Sequence, residues 1–324
     1  MRDTRRNLLV GDSPPMVDLK AEIGRVARSD AKVLVTGESG SGKELVAQAI
    51  HSESSRSDKA FVAVNCAGLP ETLLESELFG HVRGSFTGAY RDKLGKLELA
   101  DSGTMFLDEI GEMTLRMQGL LLRFLETGEL QKVGSDHGAR RVNVRVVAAT
   151  NRNLRDMIGQ GMFREDLFYR LNVIHLSVPP LRERKQDIPE LIMHFLGKYS
   201  TNGHGPREVT TDSMALLVAY PWPGNVRELQ NVLERAVLLA KTERIEPVDL
   251  PFDGGSASAT APAFSWDVPP NMTLEDIEKF VIERTLQRTG GNKQKAANML
   301  GIYRPRLYSK IKKYKIGLEA VSAN

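Results

Sequence analysis

A glycine-rich segment carries the residues whose types and spacing most directly suggest chemistry. It reads Gly-Glu-Ser-Gly-Ser-Gly-Lys-Glu and matches the pattern G-x-x-x-x-G-K. Glycines let backbone N–H groups turn inward toward phosphate oxygens, and Lys43 supplies a cation for the β- and γ-phosphates of a nucleotide. The apolar run Val33–Val35 precedes the segment and a helical pattern, Glu44–His51, follows it, which is the context that such a loop requires. The candidate ATP-binding residues are Gly37, Glu38, Ser39, Gly40, Ser41, Gly42, Lys43 and Glu44. The alternative is a plain glycine-rich turn.

A pair of neighbouring carboxylates, Asp108 and Glu109, follows the apolar segment Thr104–Leu107. A strand that ends in two carboxylates places them at the carboxyl edge of a parallel sheet, where phosphates bind. We expect Asp108 to hold Mg²⁺ through water and Glu109 to polarise the attacking water. The position after Lys43 commonly carries a hydroxyl that contacts Mg²⁺, and since it is Glu44 here, the metal must be held differently. A solvated acidic strand end is the alternative, and the glycine-rich loop argues against it.

Two asparagines stand at the ends of other apolar segments. Asn65 follows Phe61–Val64, and Asn151 closes the segment that begins at Val144. Amide groups at the same sheet edge can hydrogen-bond the attacking water, the γ-phosphate or Glu109. Both asparagines are therefore candidate nucleotide-site residues, although asparagine also terminates strands without any further role.

The elements that must position these residues are strands that alternate with helical patterns. The predicted strands are Val33–Val35, Phe61–Val64, Thr104–Leu107 and Val144–Ala149. Such alternation indicates an α/β fold with a parallel sheet covered on both faces. No strand pattern appears from Pro180 to Leu250, which predicts a helical subdomain. Residues 251–271 are rich in small residues, Gly and Pro, as is typical of a linker, and they separate a body, residues 8–250, from a tail, residues 272–318.

Composition and charge narrow the class of protein. The length of 324 residues suggests about two domains. No apolar run approaches the roughly 18 residues that span a bilayer, and Met1–Arg6 does not lead into the apolar core of a secretory signal. Cys66 is the only cysteine, so an internal disulfide is impossible, which fits a reducing cytosol. The net charge is only +3, but no Asp or Glu interrupts the basic residues from Arg284 to Lys315. This basic tail predicts contact with a polyanion.

At Gly84–Ala89, which reads Gly-Ser-Phe-Thr-Gly-Ala, the chain resembles the bacterial enhancer-binding proteins, the AAA+ activators of sigma-54 RNA polymerase (NtrC family). Their signature is G-A-F-T-G-A, so Ser85 in place of alanine is the single difference. The resemblance runs from about Asn7 to about Gly317. It also rests on Gly37–Glu44, Glu77–His81, Phe163–Asn172, Pro179–Arg184 and Trp222–Leu229. The family often carries glutamate after the loop lysine, so Glu44 agrees with it.

The resemblance implies a fold and a division into domains. The fold is an AAA+ P-loop ATPase with a parallel α/β sheet and an α-helical lid, followed by a small all-α helix-turn-helix domain. The expected boundaries are 8–178 for the ATPase subdomain, 179–250 for the lid, 251–271 for the linker and 272–318 for the DNA-binding domain. The resemblance also implies ATP and Mg²⁺ as cofactors and a cytoplasmic protein without a membrane partner.

Three arginines gain a role from the resemblance. The family's counterparts of Arg164 and Arg170 reach into the ATP of the neighbouring subunit, where a guanidinium neutralises charge on the γ-phosphate. The active species is then a homo-oligomer, from a dimer to a hexameric ring. Arg227 lies at the start of a lid helix, where Asn225 and Glu228 are expected to form a capping pair, and would reach the phosphates. Without the family, all three arginines could be surface charges.

The segment Gly84–Ala89 is the candidate contact with sigma-54. Its residues are Gly84, Ser85, Phe86, Thr87, Gly88 and Ala89. Phe86 stands among small residues, and an exposed aromatic on a loop is a suitable contact for a partner. The alternative is a turn whose Phe86 folds back into the core.

The tail has the pattern of a helix-turn-helix and resembles the Fis-type DNA-binding domain. Thr273 can cap a first helix, a second covers Asn292–Ile302 and a third runs from Arg304 to about Tyr314. The candidate DNA-binding residues are Arg304, Arg306, Ser309 and Lys310, facing the major groove, and Lys293, Lys295, Lys312 and Lys313, touching phosphates. Tyr303–Pro305 departs from the family's common serine-led start, so base preference can differ. The first helix would be the dimer contact, and a basic hairpin that binds protein is the alternative.

Taken together, the resemblance implies an ATP-driven activator that binds double-stranded enhancer DNA and remodels the closed sigma-54 promoter complex into the open one. A DNA-binding regulator of other polymerase forms, without remodelling, is the alternative, and the nearly intact Gly84–Ala89 argues against it. A helicase loader has no need of that loop. About seven residues precede the predicted ATPase, whereas relatives usually carry an N-terminal sensor domain. We therefore expect a separate regulatory protein, control by expression, or a longer protein of which this is a piece.

Overall fold

The computed structural model describes residues 9–86, 88–135, 139–200, 208–240, 242–251, 274–289, 292–314 and 316. The chain divides into two compact units, Met1–Gly254 and Gly255–Asn324. In the first unit the helices are α1 (Pro14–Ala27), α2 (Lys43–Ser52), α3 (Glu71–Phe79), α4 (Lys96–Leu99), α5 (Leu115–Thr127), α6 (Leu154–Gly159), α7 (Glu165–Leu171), α8 (Ile188–Ser200), α9 (Thr211–Ala219) and α10 (Asn225–Leu239). Its strands are β1 (Val33–Thr36), β2 (Phe61–Asn65), β3 (Gly80–His81), β4 (Lys93–Leu94), β5 (Thr104–Asp108), β6 (Glu129–Leu130), β7 (Arg140–Arg141), β8 (Arg145–Thr150), β9 (Ile174–Ser177), β10 (Glu208–Val209) and β11 (Arg244–Ile245).

A parallel sheet in the order β2-β5-β8-β1-β9 forms the centre of the first unit. Its strands alternate between two cores. Val33 and Val35 pack on the side of α1 and α2, whereas Leu34 and Leu107 pack on the side of α3, α5 and α7. Because both faces are covered, the inner strands are apolar at nearly every position. The predicted parallel α/β fold is confirmed.

The edge strand β9 is an element that the sequence pattern did not reveal. It pairs with β1 in parallel, with Ile174 beside Val33 and Leu176 beside Val35. Only one of its faces is fully covered, so His175 and Ser177 remain exposed between the apolar residues. Four residues of mixed polarity are too short to distinguish from a loop by periodicity.

Two short antiparallel ladders stand apart from this sheet. β3 pairs with β4 and β6 with β7. An isolated bridge between His81 and Val133 connects the β3–β4 ladder to the segment that follows β6. The segment that begins after β3 therefore lies against the segment that follows β6.

The region from residue 181 to residue 250 is built from α8, α9 and α10 around buried Trp222, whose indole N–H donates to the Leu217 carbonyl at 2.8 Å. The expectation that this region lacks strands needs one correction. β10 and β11 form a parallel ladder in which Glu208 pairs with Arg244 and Val209 with Ile245. Two residues per strand are too few to produce an alternating pattern in the sequence. No helix among the described residues is long and apolar enough to cross a membrane.

The second unit contains α11 (Leu274–Arg288), α12 (Lys293–Met299) and α13 (Arg304–Lys313). Its small core consists of Ile282, Leu286, Ala296, Ala297 and Leu307. α12 ends at Met299, three residues earlier than expected, and Gly301 then adopts a φ of +63° in the turn that leads to α13. The predicted cap Thr273 lies outside the described residues.

Candidate nucleotide-binding site

The glycine-rich loop connects the buried strand β1 to α2. Gly40 and Gly42 have φ angles of +75° and +109°, which glycine adopts without strain. Lys43 is the first residue of α2 and is only 7% exposed. Its ammonium donates to the carbonyls of Gly37 at 3.0 Å and Glu38 at 3.4 Å. The loop thus curls around the lysine at the carboxyl edge of the sheet, as a phosphate site requires.

The two carboxylates lie next to this lysine. Asp108 ends β5, and Glu109 follows with a φ of +52°, an uncommon value for a residue with a side chain. The Glu109 carboxylate is 3.6 Å from the Lys43 ammonium, and the Glu109 N–H donates to Asp108 Oδ1 at 3.0 Å. Burial, and then the charge of Glu109, raises the pKa of Asp108. The Asp108 and Glu109 carboxylates therefore lie where a bound cation would reduce the cost of ionising Asp108.

The two asparagines at the strand ends reach the site differently. Asn151 follows β8, and its backbone N–H donates to Glu109 Oε2 at 3.3 Å. Asn65 pairs with Asp108 in the sheet register, and its side-chain oxygen accepts from the Ala67 N–H at 2.7 Å. The sheet order therefore brings both residues to the carboxylate pair, although the Asn65 carbonyl oxygen is used in a local turn.

The lid reaches over the loop from the opposite side. Arg227 donates to the Ser39 hydroxyl at 3.1 Å. The Arg182 guanidinium forms two hydrogen bonds to the Glu38 carboxylate, at 2.7 and 2.8 Å, and thereby lowers the pKa of Glu38 to about 2. Buried Arg184 donates to the Ser41 carbonyl at 2.8 Å. Neither Arg182 nor Arg184 was singled out as a site residue from the sequence, because their loop partners are more than 140 positions away along the chain.

The expected capping pair of α10 is half right. The Glu228 carboxylate does accept from the Gly224 N–H at 2.8 Å. The side chain of Asn225, however, leaves its own helix and contacts the glycine-rich loop, with its amide 3.1 Å from both Glu38 Oε2 and the Ser39 carbonyl. Asn225 has a φ of +54° and is fully buried, so its direction is set by tertiary packing.

A cavity of about 690 Å³ opens beside the loop. Thr36, Glu38, Asn151, His175 and Arg182 are among the residues that line it. Lys43 and Glu109 do not line this cavity, so the phosphate site is defined by their side chains and the loop rather than by the cavity. The cavity lies beside the carboxyl ends of the strands, next to the edge strand β9.

Arg164 and Arg170 lie at the two ends of α7. The Arg164 guanidinium makes two hydrogen bonds to Asp166, at 3.0 and 2.7 Å. Arg170 donates to the Leu125 carbonyl at 3.3 and 3.4 Å. Within the described residues, neither guanidinium forms a hydrogen bond or ion pair with Asp108 or Glu109 of its own chain.

The segment Gly84–Ala89 is a tight turn whose base is closed by a hydrogen bond from the Gly84 N–H to the Ala89 carbonyl at 2.8 Å. Phe86 is partly buried, and its ring contacts His81 edge-on with the centroids 4.9 Å apart. Ser85 lies against Gly134, in the segment after β6. Thr87 lies outside the described residues.

The candidate DNA-binding residues differ in how they are engaged. Lys310 pairs with Glu278, and Lys313 lies 2.6 Å from Glu275, so both are tied to α11. Lys293 and Arg304 flank the ring of Tyr308, 5.0 and 5.5 Å from its centroid. The Ser309 hydroxyl donates to the Pro305 carbonyl at 3.1 Å. Arg306, Lys295 and Lys312 are exposed.

Comparison with known families agrees with this geometry. Residues 9–177 match the sigma-54 interaction domain, residues 182–264 the AAA+ ATPase lid domain, and residues 273–314 the bacterial regulatory proteins of the Fis family. The fold and site therefore define an AAA+ ATPase with a DNA-binding helix-turn-helix. The chain belongs to the family of bacterial transcriptional regulators that carry a sigma-54 interaction domain.

Individual relatives are similar over nearly the whole chain. The transcriptional regulatory protein ZraR of Escherichia coli (strain K12) is 49% identical over 305 residues, which are 94% of this chain and 68% of that protein. The regulatory protein AtoC of the same strain is 46% identical over 316 residues, 95% of this chain and 68% of that protein. NtrX from Brucella abortus in complex with ATP superposes with a TM-score of 0.73 at 37% identity, covering 96% of this chain and 70% of that structure. The relatives support ATP binding by this ATPase.

Proposed function

We propose that the protein activates transcription from sigma-54 promoters by using ATP hydrolysis, in an oligomeric ring, to remodel the closed promoter complex into the open one. The observation that carries the proposal is that the glycine-rich loop, Lys43 and Glu109 occur in the same compact unit as the turn at Gly84–Ala89. Lys43 and Glu109 are 3.6 Å apart, and the turn departs from the family signature only at Ser85. Hydrolysis alone would not require that turn.

In this proposal the glycine-rich loop and Lys43 bind the β- and γ-phosphates of ATP. Glu109 accepts a proton from the attacking water, and the Asn151 N–H at 3.3 Å orients its carboxylate. Asn65 and Arg227 complete the contacts to the nucleotide. The left-handed backbone at Glu109 supports this role because strained residues cluster at functional sites.

Asp108 fits a Mg²⁺ ligand. Its carboxylate is partly buried beside a second carboxylate, which raises its pKa, and a divalent cation would offset that cost. No group of three or more His, Cys, Asp or Glu in the described part of the chain could hold a metal alone. Mg²⁺ in proteins is commonly bound through one or two carboxylates together with substrate phosphates and water. When bound, the metal supplies neutralisation of charge on the β- and γ-phosphate oxygens.

We propose that Arg164 and Arg170 complete the site of a neighbouring subunit. Their positions support this, since each is anchored at an end of α7 and neither is engaged by its own ATP site. A complementation experiment tests the shared site. Glu109→Gln and Arg164→Ala are each expected to be inactive, whereas a mixture of the two should recover ATPase activity at interfaces that combine the intact halves. No recovery in a mixture that forms mixed rings would contradict the proposal.

The turn at Gly84–Ala89 is the proposed contact with sigma-54. Phe86 is partly buried against His81, so contact with a partner requires only that one ring interface be exchanged for another. Phe86→Ala and Thr87→Ala should retain ATPase activity but lose open-complex formation on a sigma-54 promoter, measured by permanganate reactivity of the melted DNA. Unchanged promoter opening by both variants would favour a regulator that does not remodel polymerase.

The second unit is proposed to bind double-stranded enhancer DNA as a dimer. Arg304 and Arg306 are exposed in the first turn of α13, the part of a recognition helix that reads bases. Lys293, Lys295, Lys312 and Ser309 are proposed to contact the backbone or nearby bases. Lys310 and Lys313 contribute less than expected from the sequence alone, because both are paired with carboxylates of α11.

For the domain organisation we propose the boundaries expected from the sequence: 8–178, 179–250, 251–271 and 272–318. The two compact units, which divide at Gly254, support a boundary within the proposed linker. The family model of the lid continues to residue 264 and so includes part of that linker. Limited proteolysis followed by mass spectrometry would test the boundaries, and cleavage should concentrate between residues 251 and 271.

A further inference from the structure

The side chain of Asn225 connects three segments of the chain, and the local sequence around it does not require these contacts. Its side chain is fully buried. The amide nitrogen donates to Glu38 Oε2 and to the Ser39 carbonyl, both at 3.1 Å, and the amide oxygen accepts from the Leu181 N–H at 2.8 Å. One short side chain therefore ties the lid helix α10, the glycine-rich loop and the segment that enters the lid.

The backbone of the lid also meets the loop directly. The N–H groups of Val226 and Arg227 lie 3.1 and 3.4 Å from the Gly40 carbonyl. A Cβ atom on Gly40 would lie 2.3 Å from the Gly224 carbonyl oxygen, which is too close for any side chain. Because the first N–H groups of a helix carry partial positive charge, the loop carbonyl stabilises the start of α10.

The helix start thus has other caps, and capping does not explain Asn225. The Gly40 carbonyl accepts from the first turn of α10, and the Glu228 carboxylate accepts from the Gly224 N–H. The short hydrogen bonds of the Asn225 side chain all reach outside α10. Asparagine is also among the few residues that tolerate a positive φ, here +54°.

We infer that Asn225 is a positioning residue. It holds Glu38 and Ser39 of the glycine-rich loop against the lid and thereby sets the affinity for ATP. The Ser39 carbonyl is directed at the lid, and in a trans peptide the following N–H points the opposite way. Fixing that carbonyl therefore also fixes the Gly40 N–H, a backbone donor of the phosphate-binding loop. Arg227, two residues after Asn225, is placed on Ser39 by the same contact.

The side chain must supply both a donor and an acceptor for this arrangement. An aspartate would keep the acceptor for Leu181 but would replace the donating amide with a carboxylate oxygen facing Glu38 and the Ser39 carbonyl. Asn225 acts in this way on ATP binding and hydrolysis alone, and both are measured without sigma-54 or DNA.

Asn225→Asp in the full chain is the first test, with ATP affinity measured by titration of a fluorescent nucleotide and with KM and kcat measured separately. We expect the Kd and KM for ATP to rise about tenfold or more, since hydrogen bonds to charged groups are lost and a repulsion is added. Asn231→Asp, an exposed position on the same helix, makes the same charge change and should leave both constants unaltered.

Rescue separates positioning from a general loss of stability. In the Asn225→Asp background, Glu38→Gln places an amide donor opposite the introduced carboxylate, so ATP affinity should recover by several-fold. Glu38→Gln alone should weaken binding, because it removes the charge that Arg182 and Asn225 contact. Simple addition of the two losses would overturn the inference.

If Asn225→Asp does not fold, Asn225→Gly provides a second test of the same role. Glycine adopts a φ of +54° freely, so the backbone is retained while the hydrogen bonds of the Asn225 side chain disappear. The folded protein, checked by thermal denaturation without nucleotide, should again bind ATP about tenfold more weakly. An ATP affinity equal to that of the unchanged protein would show that Asn225 only supports the fold, and would refute the inference.

Discussion

The contact between Ser85 and Gly134 makes a sharp prediction about the proposed sigma-54 loop. Gly134 has a φ of +74°, and a Cβ atom there would lie 2.5 Å from Ser85 Cβ and 3.1 Å from Ser85 Cα. Non-bonded carbon atoms prefer separations of about 3.5–4.0 Å. Gly134→Ala must therefore push the turn at Gly84–Ala89 away by about 1 Å.

A second glycine separates this overlap from the cost of the backbone conformation. Gly128 has a φ of +71°, nearly the same as Gly134, but its nearest neighbour for a Cβ is the Val142 carbonyl oxygen at 3.3 Å. A left-handed conformation costs a residue with a side chain about 1–2 kcal/mol. Gly128→Ala should incur that cost with only a small shift at the Val142 carbonyl, whereas Gly134→Ala should incur it together with the displacement of Ser85.

The assay compares hydrolysis with binding. Both variants should hydrolyse ATP at close to the normal rate, because neither glycine contacts Lys43 or Glu109. Binding to purified sigma-54 in the presence of a transition-state analogue of ATP should fall about tenfold, or about 1.4 kcal/mol, in Gly134→Ala and remain unchanged in Gly128→Ala. Equal sigma-54 binding by the two variants would refute the reasoning that Gly134 positions the turn.

Three further predictions concern the ATP site and the DNA-binding unit. Glu109→Gln should slow phosphate release by about 100-fold or more while ATP still binds, since a general base contributes 10²–10⁴-fold; retained turnover would exclude Glu109 as the base. Asp108→Asn should abolish Mg²⁺-dependent hydrolysis yet raise the unfolding temperature in the absence of nucleotide, because the folded state raises the pKa of Asp108 and so disfavours its ionised form. That stabilisation should grow from acid toward neutral pH, as the carboxyl ionises, and a pH-independent difference in calorimetry would contradict it. Arg304→Ala should weaken DNA binding by about 1–3 kcal/mol and relax the base preference, whereas Lys313→Ala, already paired with Glu275, should have the smaller effect in a fluorescence-anisotropy titration.

Much of the ATP site was predictable because its signals are local. The glycine spacing, Lys43 and the pair Asp108 and Glu109 are read from short segments, and each sits at a strand end that apolar runs reveal. In a parallel sheet the carboxyl ends share one edge, so strand order is not needed to bring these groups together. The 3.6 Å approach of Lys43 to Glu109 follows that expectation.

Strands with only a weak apolar pattern could not be predicted from the sequence. The edge strand β9 has only one covered face, so the exposed His175 breaks the apolar run. The ladder of β10 and β11 has two residues per strand. Such short strands are stabilised by packing against neighbouring elements. They are too short to show a periodic pattern of apolar residues in the sequence.

The sequence by itself determined that the chain has a phosphate-binding loop, a carboxylate pair and a basic helical tail, because each depends on residue types at short spacing. Only the tertiary structure decided how the lid engages that loop. Asn225 looked like a helix cap, yet its partners Leu181 and Glu38 are 44 and 187 residues away. Such contacts arise where the core of the lid packs against the core around the sheet, and their geometry depends on backbone positions that local spacing does not encode.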